Sequence, residues 1–166
     1  MKKTTLALIG LAYSISVPAL ATATHCSAQE QTVFSCSLGK KIVSVCASKD
    51  ISPTNGYVQY RFGPKNTPEL LFPASTELAN RAIMRSGIYM FSGGGGAYLR
   101  FINGQYNYIV YTAIGKGWGN KDGVAVEKDN KLIANLKCQD VPNSKLGEDF
   151  FTSSGLIADE NEFSLP

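Results

Sequence analysis

The stretch AYLRFINGQYNYIVYT, residues 97–112, decides the fold. Residues 97–102 and 106–112 are rich in aromatic and β-branched side chains, which suit a pleated, half-buried surface. Asn103-Gly104 sits between them, and because both residue types tolerate positive φ this pair predicts a tight hairpin. The same grammar extends outward in both directions. Upstream, residues 33–38 and 41–48 read as strands joined at Gly39 and Lys40. Residues 57–62 follow Asn55-Gly56 and alternate Tyr57, Gln59 and Arg61 against Val58, Tyr60 and Phe62, so one face is buried and the other wet. Residues 70–72 form a short strand ended by Pro73, and residues 88–91 another. The four glycines Gly93, Gly94, Gly95 and Gly96 then predict a flexible or tightly turned loop. Downstream, Asp129-Asn130 joins residues 123–127 to residues 132–136 in a second hairpin.

Helical periodicity is nearly absent. Residues 75–81 are the one expected helical turn, with Ser75 as its cap and Glu77 in its first turn. About eight short strands in a chain of this size predict an all-β fold, a small antiparallel β-barrel or sandwich. Residues 24–138 form that single domain, and residues 139–166 read as a short C-terminal tail packed on it through Phe150, Phe151 and Leu156, with a solvated acidic end at Asp159, Glu160 and Glu162.

Residues 1–23 have the pattern of an export signal. Lys2 and Lys3 precede an apolar stretch, residues 6–20, that is too short for a stable membrane anchor, and Ala21 and Ala23 form a small-residue cleavage site. His25 before Cys26 departs from a lipid-attachment pattern, so the expected product is a soluble periplasmic or otherwise secreted chain beginning at Thr24. Removing 23 of the 166 residues leaves 143, the size of one domain. Two of the 16 basic residues and none of the 13 acidic ones lie in the signal, so the mature formal charge is +1. That excludes nucleic-acid binding by bulk charge, and no later apolar run is long enough for membrane insertion.

Cys26, Cys36, Cys46 and Cys138 all lie in the mature region, an even count that predicts two disulfides in an exported protein. Joining Cys36 to Cys138 ties the first strand to the last and closes a long loop, which leaves Cys26 with Cys46. Cys36 with Cys46 across one hairpin fits as well, and the sequence does not choose. No C-x-x-C spacing points to redox or zinc chemistry.

The residue inventory argues against an enzyme. His25 is the only histidine and lies two residues into the mature chain, where ends fray, so neither a Ser/His/Asp nor a Cys/His site is expected. No His, Cys and carboxylate cluster has metal-ligand spacing, and no cofactor is implied. Distant carboxylates such as Asp50 and Glu127 have no spacing that favours a pair. The Gly93–Gly96 run lacks the following helix that a phosphate cradle needs.

Residues 111–121, Tyr-Thr-Ala-Ile-Gly-Lys-Gly-Trp-Gly-Asn-Lys, carry the clearest binding signal. Glycines interleaved with Lys116, Trp118 and Lys121 predict a mobile or sharply bent loop bearing cations and one large aromatic, a composition common at contact surfaces. Trp118 plugging one end of the fold is the equal alternative. Ser86-Gly87-Ile88-Tyr89 has the form S-G-x-Y, and Tyr111 to Gly117 the form Y-x-x-x-G-K-G. Together they resemble the S-G-x-Y and Y-x-x-x-T-K-G motifs of bacterial periplasmic lysozyme inhibitors, above all those acting on invertebrate-type lysozyme, with Gly115 where that family has Thr. The resemblance implies a small exported β protein whose two motifs lie on neighbouring loops entering the lysozyme cleft. Ser86, Gly87, Tyr89, Tyr111, Lys116 and Gly117 would then touch the partner together with Trp118, with Lys116 or Ser86 placed between the cleft's two carboxylates. The expected partner is lysozyme or another cell-wall hydrolase, with a homodimer also possible.

Overall fold

A computed structural model of the chain describes residues 23–76 and 81–166. The expected signal therefore lies almost wholly outside the described residues, as does most of the expected helical turn at 75–81; a short 3-10 turn occupies Arg81–Ile83.

Among the described residues, ten strands form two antiparallel sheets. The first contains β1 (Glu30–Ser37), β2 (Lys41–Ser48), β3 (Val58–Pro64), β4 (Leu70–Phe72) and β10 (Asn143–Ser144), in the order β10-β1-β2-β3-β4. The second contains β5 (Met84–Phe91), β6 (Gly94–Asn103), β7 (Tyr106–Gly115), β8 (Gly119–Lys128) and β9 (Lys131–Lys137), in chain order. Neither sheet closes on itself, so of the two expected architectures the molecule adopts the sandwich.

Alternation along each strand builds the core between the sheets. Val33, Val43, Val45, Val58 and Tyr60 of the first sheet meet Met84, Leu99, Phe101, Val110 and Val124 of the second. The second sheet is also covered on its far side. After α1 (Glu148–Ser153) the chain returns across it and lays Phe163 and Leu165 over Tyr89, Tyr98, Ile109 and Tyr111. Both faces of β6 and β7 are thus largely buried, which explains why Tyr98-Leu99 and Ile109-Val110-Tyr111 read as continuous apolar runs.

Several sequence expectations are corrected. The tight turn at Asn103-Gly104 falls one residue later: Asn103 pairs with Tyr106, and Gly104, at φ +60°, opens the turn. Asp129 and Asn130 do form the other expected turn, both at positive φ. Three of the four glycines are strand, not loop, because a Cβ on Gly94 or Gly96 would strike the β7 backbone at Ile114 or Thr112. Only Gly93 remains in a turn. The frayed end expected at His25 is also absent, since its backbone N–H donates to Ser44 Oγ at 3.0 Å and its ring lies 3.2 Å from the Gly63 carbonyl.

The disulfides are Cys26–Cys46 and Cys36–Cys138. The first pins residues 23–26 to β2, and the second fastens the end of β9 to β1, binding one sheet to the other.

Beside the first bridge lies a nearly buried ion pair. The Glu30 carboxylate accepts from the Arg61 guanidinium, from Tyr57 Oη at 2.7 Å and from the Ser27 N–H at 2.7 Å. Burial alone would raise the carboxyl, but these donors outweigh it and hold the group at about 2, against an ordinary 4.5. A depressed native value means the stabilisation is complete above the unfolded value and is lost as pH falls from about 4.5 through about 2. The Glu30→Gln variant is expected to lose about 3 kcal/mol at neutral pH, because Arg61 is left without its counter-charge, and to show a shallower stability decline below pH 4.5 in denaturant titrations.

Candidate functional site

Because β5 to β8 are sequential and antiparallel, the β5–β6 and β7–β8 turns fall at the same end of the second sheet. The first turn is Ser92-Gly93 and the second Lys116-Gly117-Trp118. Glycine chemistry shapes both, with Gly93 at φ +80° and Gly117 at φ +94°. The turns are fastened together. The Lys116 N–H donates to the Gly93 carbonyl at 3.0 Å, and the Trp118 ring meets Phe91 edge-on at 5.9 Å between centroids. Trp118 also lies against Gly115, where any Cβ would strike the indole, which supplies a physical reason for glycine at that motif position. Its other neighbour is Lys121, whose ammonium stands 5.4 Å from the ring centroid and donates to the Pro166 carbonyl oxygen at 2.8 Å.

The expected long loop over residues 111–121 is therefore two strand ends and a three-residue turn. Lys116, Gly117 and Trp118 are exposed, and no carboxylate among the described residues pairs with Lys116. Phe91 shares the face of Trp118, whereas the alternation of the strands puts Met90, 90% exposed, and Ile114, 60% exposed, on the opposite face of this sheet end. The result is a cation beside an aromatic pair on a pre-shaped support.

The other predicted site residues lie elsewhere. Ser86, Gly87 and Tyr89 are inside β5 rather than on a loop, and the C-terminal segment covers two of them. The Ser86 backbone N–H donates to the Ile157 carbonyl at 2.9 Å and its hydroxyl approaches the same oxygen at 3.3 Å. Gly87 is glycine because a Cβ would enter the Tyr98 ring. Tyr89 donates its hydroxyl to the Phe163 carbonyl at 2.7 Å, and Tyr111 donates to Asn135 Oδ1 at 2.6 Å. Burial raises both phenols above their ordinary range, reinforced for Tyr89 by nearby Tyr98 and Glu162 and opposed for Tyr111 by the Asn135 bond. These groups organise the support, and the structure brings only Lys116, Gly117 and Trp118 of the predicted set together at the surface.

Phe91 and Ser92 complete the tip and were not legible from motifs. The signal that reaches them is topological: sequential antiparallel hairpins put alternate turns at one end. On the face that carries Ile114, a groove of about 460 Å³ runs past Ile88, Ala97, Thr112 and Ile114 to Val141 and Leu146. Asp122 at its wall accepts from Thr112 Oγ1 at 2.5 Å; burial raises its carboxyl and that bond opposes the shift.

The two distant carboxylates, Asp50 and Glu127, lie at different sheets. Glu127 is held by Arg100 at 2.7 Å on the second sheet, while Asp50 accepts from Asn55 at 2.8 Å beyond the end of β2 in the first. Among the described residues no group of three or more His, Cys, Asp or Glu side chains is placed to hold a metal, and no helix is long and apolar enough to cross a membrane. Comparison of the chain with protein-family models, with curated proteins and with solved structures finds no match.

Proposed function

We propose that this chain is an exported, non-enzymatic binding protein that blocks the active-site cleft of a lysozyme-type cell-wall hydrolase in the periplasm, with Lys116 as its central anchor. The observation that carries the reading is the joined pair of hairpin turns, which presents one unpaired ammonium beside Trp118 and Phe91. A glycosidase cleft carries two carboxylates, and an ammonium set between them gains charge-assisted hydrogen bonds while excluding substrate. The tip is narrow because its three-residue turn contains Gly117 and is followed by Gly119. It is stiff because the Gly93 carbonyl and Phe91 brace it, so little conformational entropy is lost on docking. Two disulfides suit an oxidising compartment, and residues 1–23 supply the expected address.

A second target class is favoured by one observation. Ser86 is held internally, so the serine and lysine of the two motifs do not enter a cleft side by side. That departure suits an immunity protein against a cell-wall-degrading toxin from a rival bacterium, approached by the same tip.

Peptidoglycan turbidity assays with invertebrate, chicken and goose-type lysozymes test the first reading. At least one lysozyme is expected to be slowed by the oxidised protein, and unimpaired lysis by all three overturns it. The Lys116→Ala variant is expected to weaken inhibition by about 30-fold, or about 2 kcal/mol, with unchanged thermal stability.

A further inference from the structure

The edges of the two sheets are guarded unequally. β10 has two residues, β4 has three and lies between Pro68 and Pro73, and β9 begins and ends with Lys131 and Lys137. Short strands, prolines and lysines are the usual devices against unwanted strand pairing. The fourth edge, β5, is different.

Its first half is covered by the chain itself. Ser86 forms a parallel bridge to Ala158, donating from its N–H to the Ile157 carbonyl at 2.9 Å and accepting from the Asp159 N–H at 2.8 Å. Its second half, residues 87–91, has no neighbouring strand among the described residues on the side away from β6. That half contains no charge, no proline and no register shift. In the ladder with β6, Gly87, Tyr89 and Phe91 are in phase with the closing pair of the hairpin, Phe91 with Gly94. The N–H and C=O groups of Ile88 and Met90 consequently face outward, in phase with those of Ser86. Their side chains are 44% and 90% exposed because this end of the sheet overhangs the first sheet.

We propose that this open half of β5 pairs with its counterpart in a second copy of the chain, antiparallel about a two-fold axis at Tyr89. Such pairing sets Ile88 opposite the partner subunit's Met90 and Met90 opposite the partner subunit's Ile88, and satisfies all four outward backbone groups of each copy. The fit is self-limiting in length. Extension past Gly87 meets Ala158 of the same chain, and extension past Phe91 meets the turn at Ser92, so five residues fill the gap on both copies. An uncharged seam has no like-charge repulsion on self-pairing, and Ile opposite Met is a favourable apolar cross-strand pair. The two tips then point in opposite directions, leaving each Lys116 free. A five-residue seam lies at the small end of specific interfaces, below about 1,200 Å² in total, so the dimer is expected to be concentration-dependent.

Sedimentation equilibrium of the oxidised protein from Thr24 onward, over roughly 1 to 500 µM, a span suited to a small interface, tests the proposal. The mass is expected to rise from one copy to two. Met90→Lys and, separately, Ile88→Lys are expected to raise the dissociation constant at least tenfold, whereas Leu132→Lys on the opposite edge strand leaves it unchanged. Both β5 positions are exposed, and unchanged thermal unfolding of each variant excludes misfolding as the cause. A single copy at every concentration overturns the proposal and leaves the edge to a strand of another protein. A mass beyond two copies, or dissociation by Leu132→Lys alone, overturns it as well. The test involves no lysozyme, so it stands apart from the reading of the tip.

Discussion

Replacing Cys36 and Cys138 together by serine is expected to lower the unfolding free energy by about 4 to 5 kcal/mol, whereas replacing Cys26 and Cys46 costs about 3 kcal/mol. The difference follows from the chain closed by each bridge. Cys36 and Cys138 are 102 residues apart and Cys26 and Cys46 only 20, and the entropy withheld from the unfolded chain grows with the logarithm of that separation. Each double variant also places one serine at a fully buried site, at position 36 or 46, so the burial penalty is similar and the loop term decides the order. The Cys36–Cys138 bridge has an added architectural role, since it joins β1 to the end of β9 and so one sheet to the other. Denaturant titration of both variants checks the order. Equal losses would mean that residual structure in the unfolded chain, rather than loop length, governs this protein.

The second large effect is expected at Phe163, where alanine removes about 3 to 5 kcal/mol. Its ring packs 5.6 Å from Tyr98 and 5.8 Å from Tyr111, and it is almost fully buried. Its backbone is held on both sides: the N–H donates to Tyr98 Oη at 3.2 Å, and the carbonyl accepts from Tyr89 Oη at 2.7 Å. Near it, Arg100 donates to Asp159 and to Glu127, each at 2.7 Å, in a network with little solvent exposure. Loss of the Phe163 ring loosens the whole returning segment. Hydrogen exchange is therefore expected to accelerate first at Ser86 and Asp159, whose amides bond between that segment and β5. Exchange confined to the last few residues, with a loss below about 1 kcal/mol, would show that the segment is peripheral to the fold.

Much of the sheet was legible because local chemistry and tertiary context agree there. Asp129 and Asn130 adopt the positive φ that their types favour, and Gly39-Lys40 turns where expected, with Gly39 at φ +93°. Composition misled where a residue serves a contact rather than a turn. Gly94 and Gly96 resemble loop residues, yet they are strand because the β7 backbone comes too close for a Cβ. The candidate site was half legible for a related reason. Lys116, Gly117 and Trp118 advertise a turn, and a turn is where they lie. Ser86 and Tyr89 look the same on paper whether they face a partner or the chain's own end, and only the path of residues 154–166 distinguishes the two. Phe163 sits in an acidic, weakly patterned stretch with no periodicity to mark it as core.

The solitary indole has a practical consequence. Trp118 is the chain's one tryptophan, and it stands at the exposed turn beside the Lys121 ammonium, while the tyrosines lie elsewhere. Emission excited on the red edge of the absorption band therefore reports a single place, the very spot where another molecule would dock. Capture in a dry groove would shift that light toward the blue without any dye or tag, while global melting would be followed separately through the phenolic chromophores of the interior.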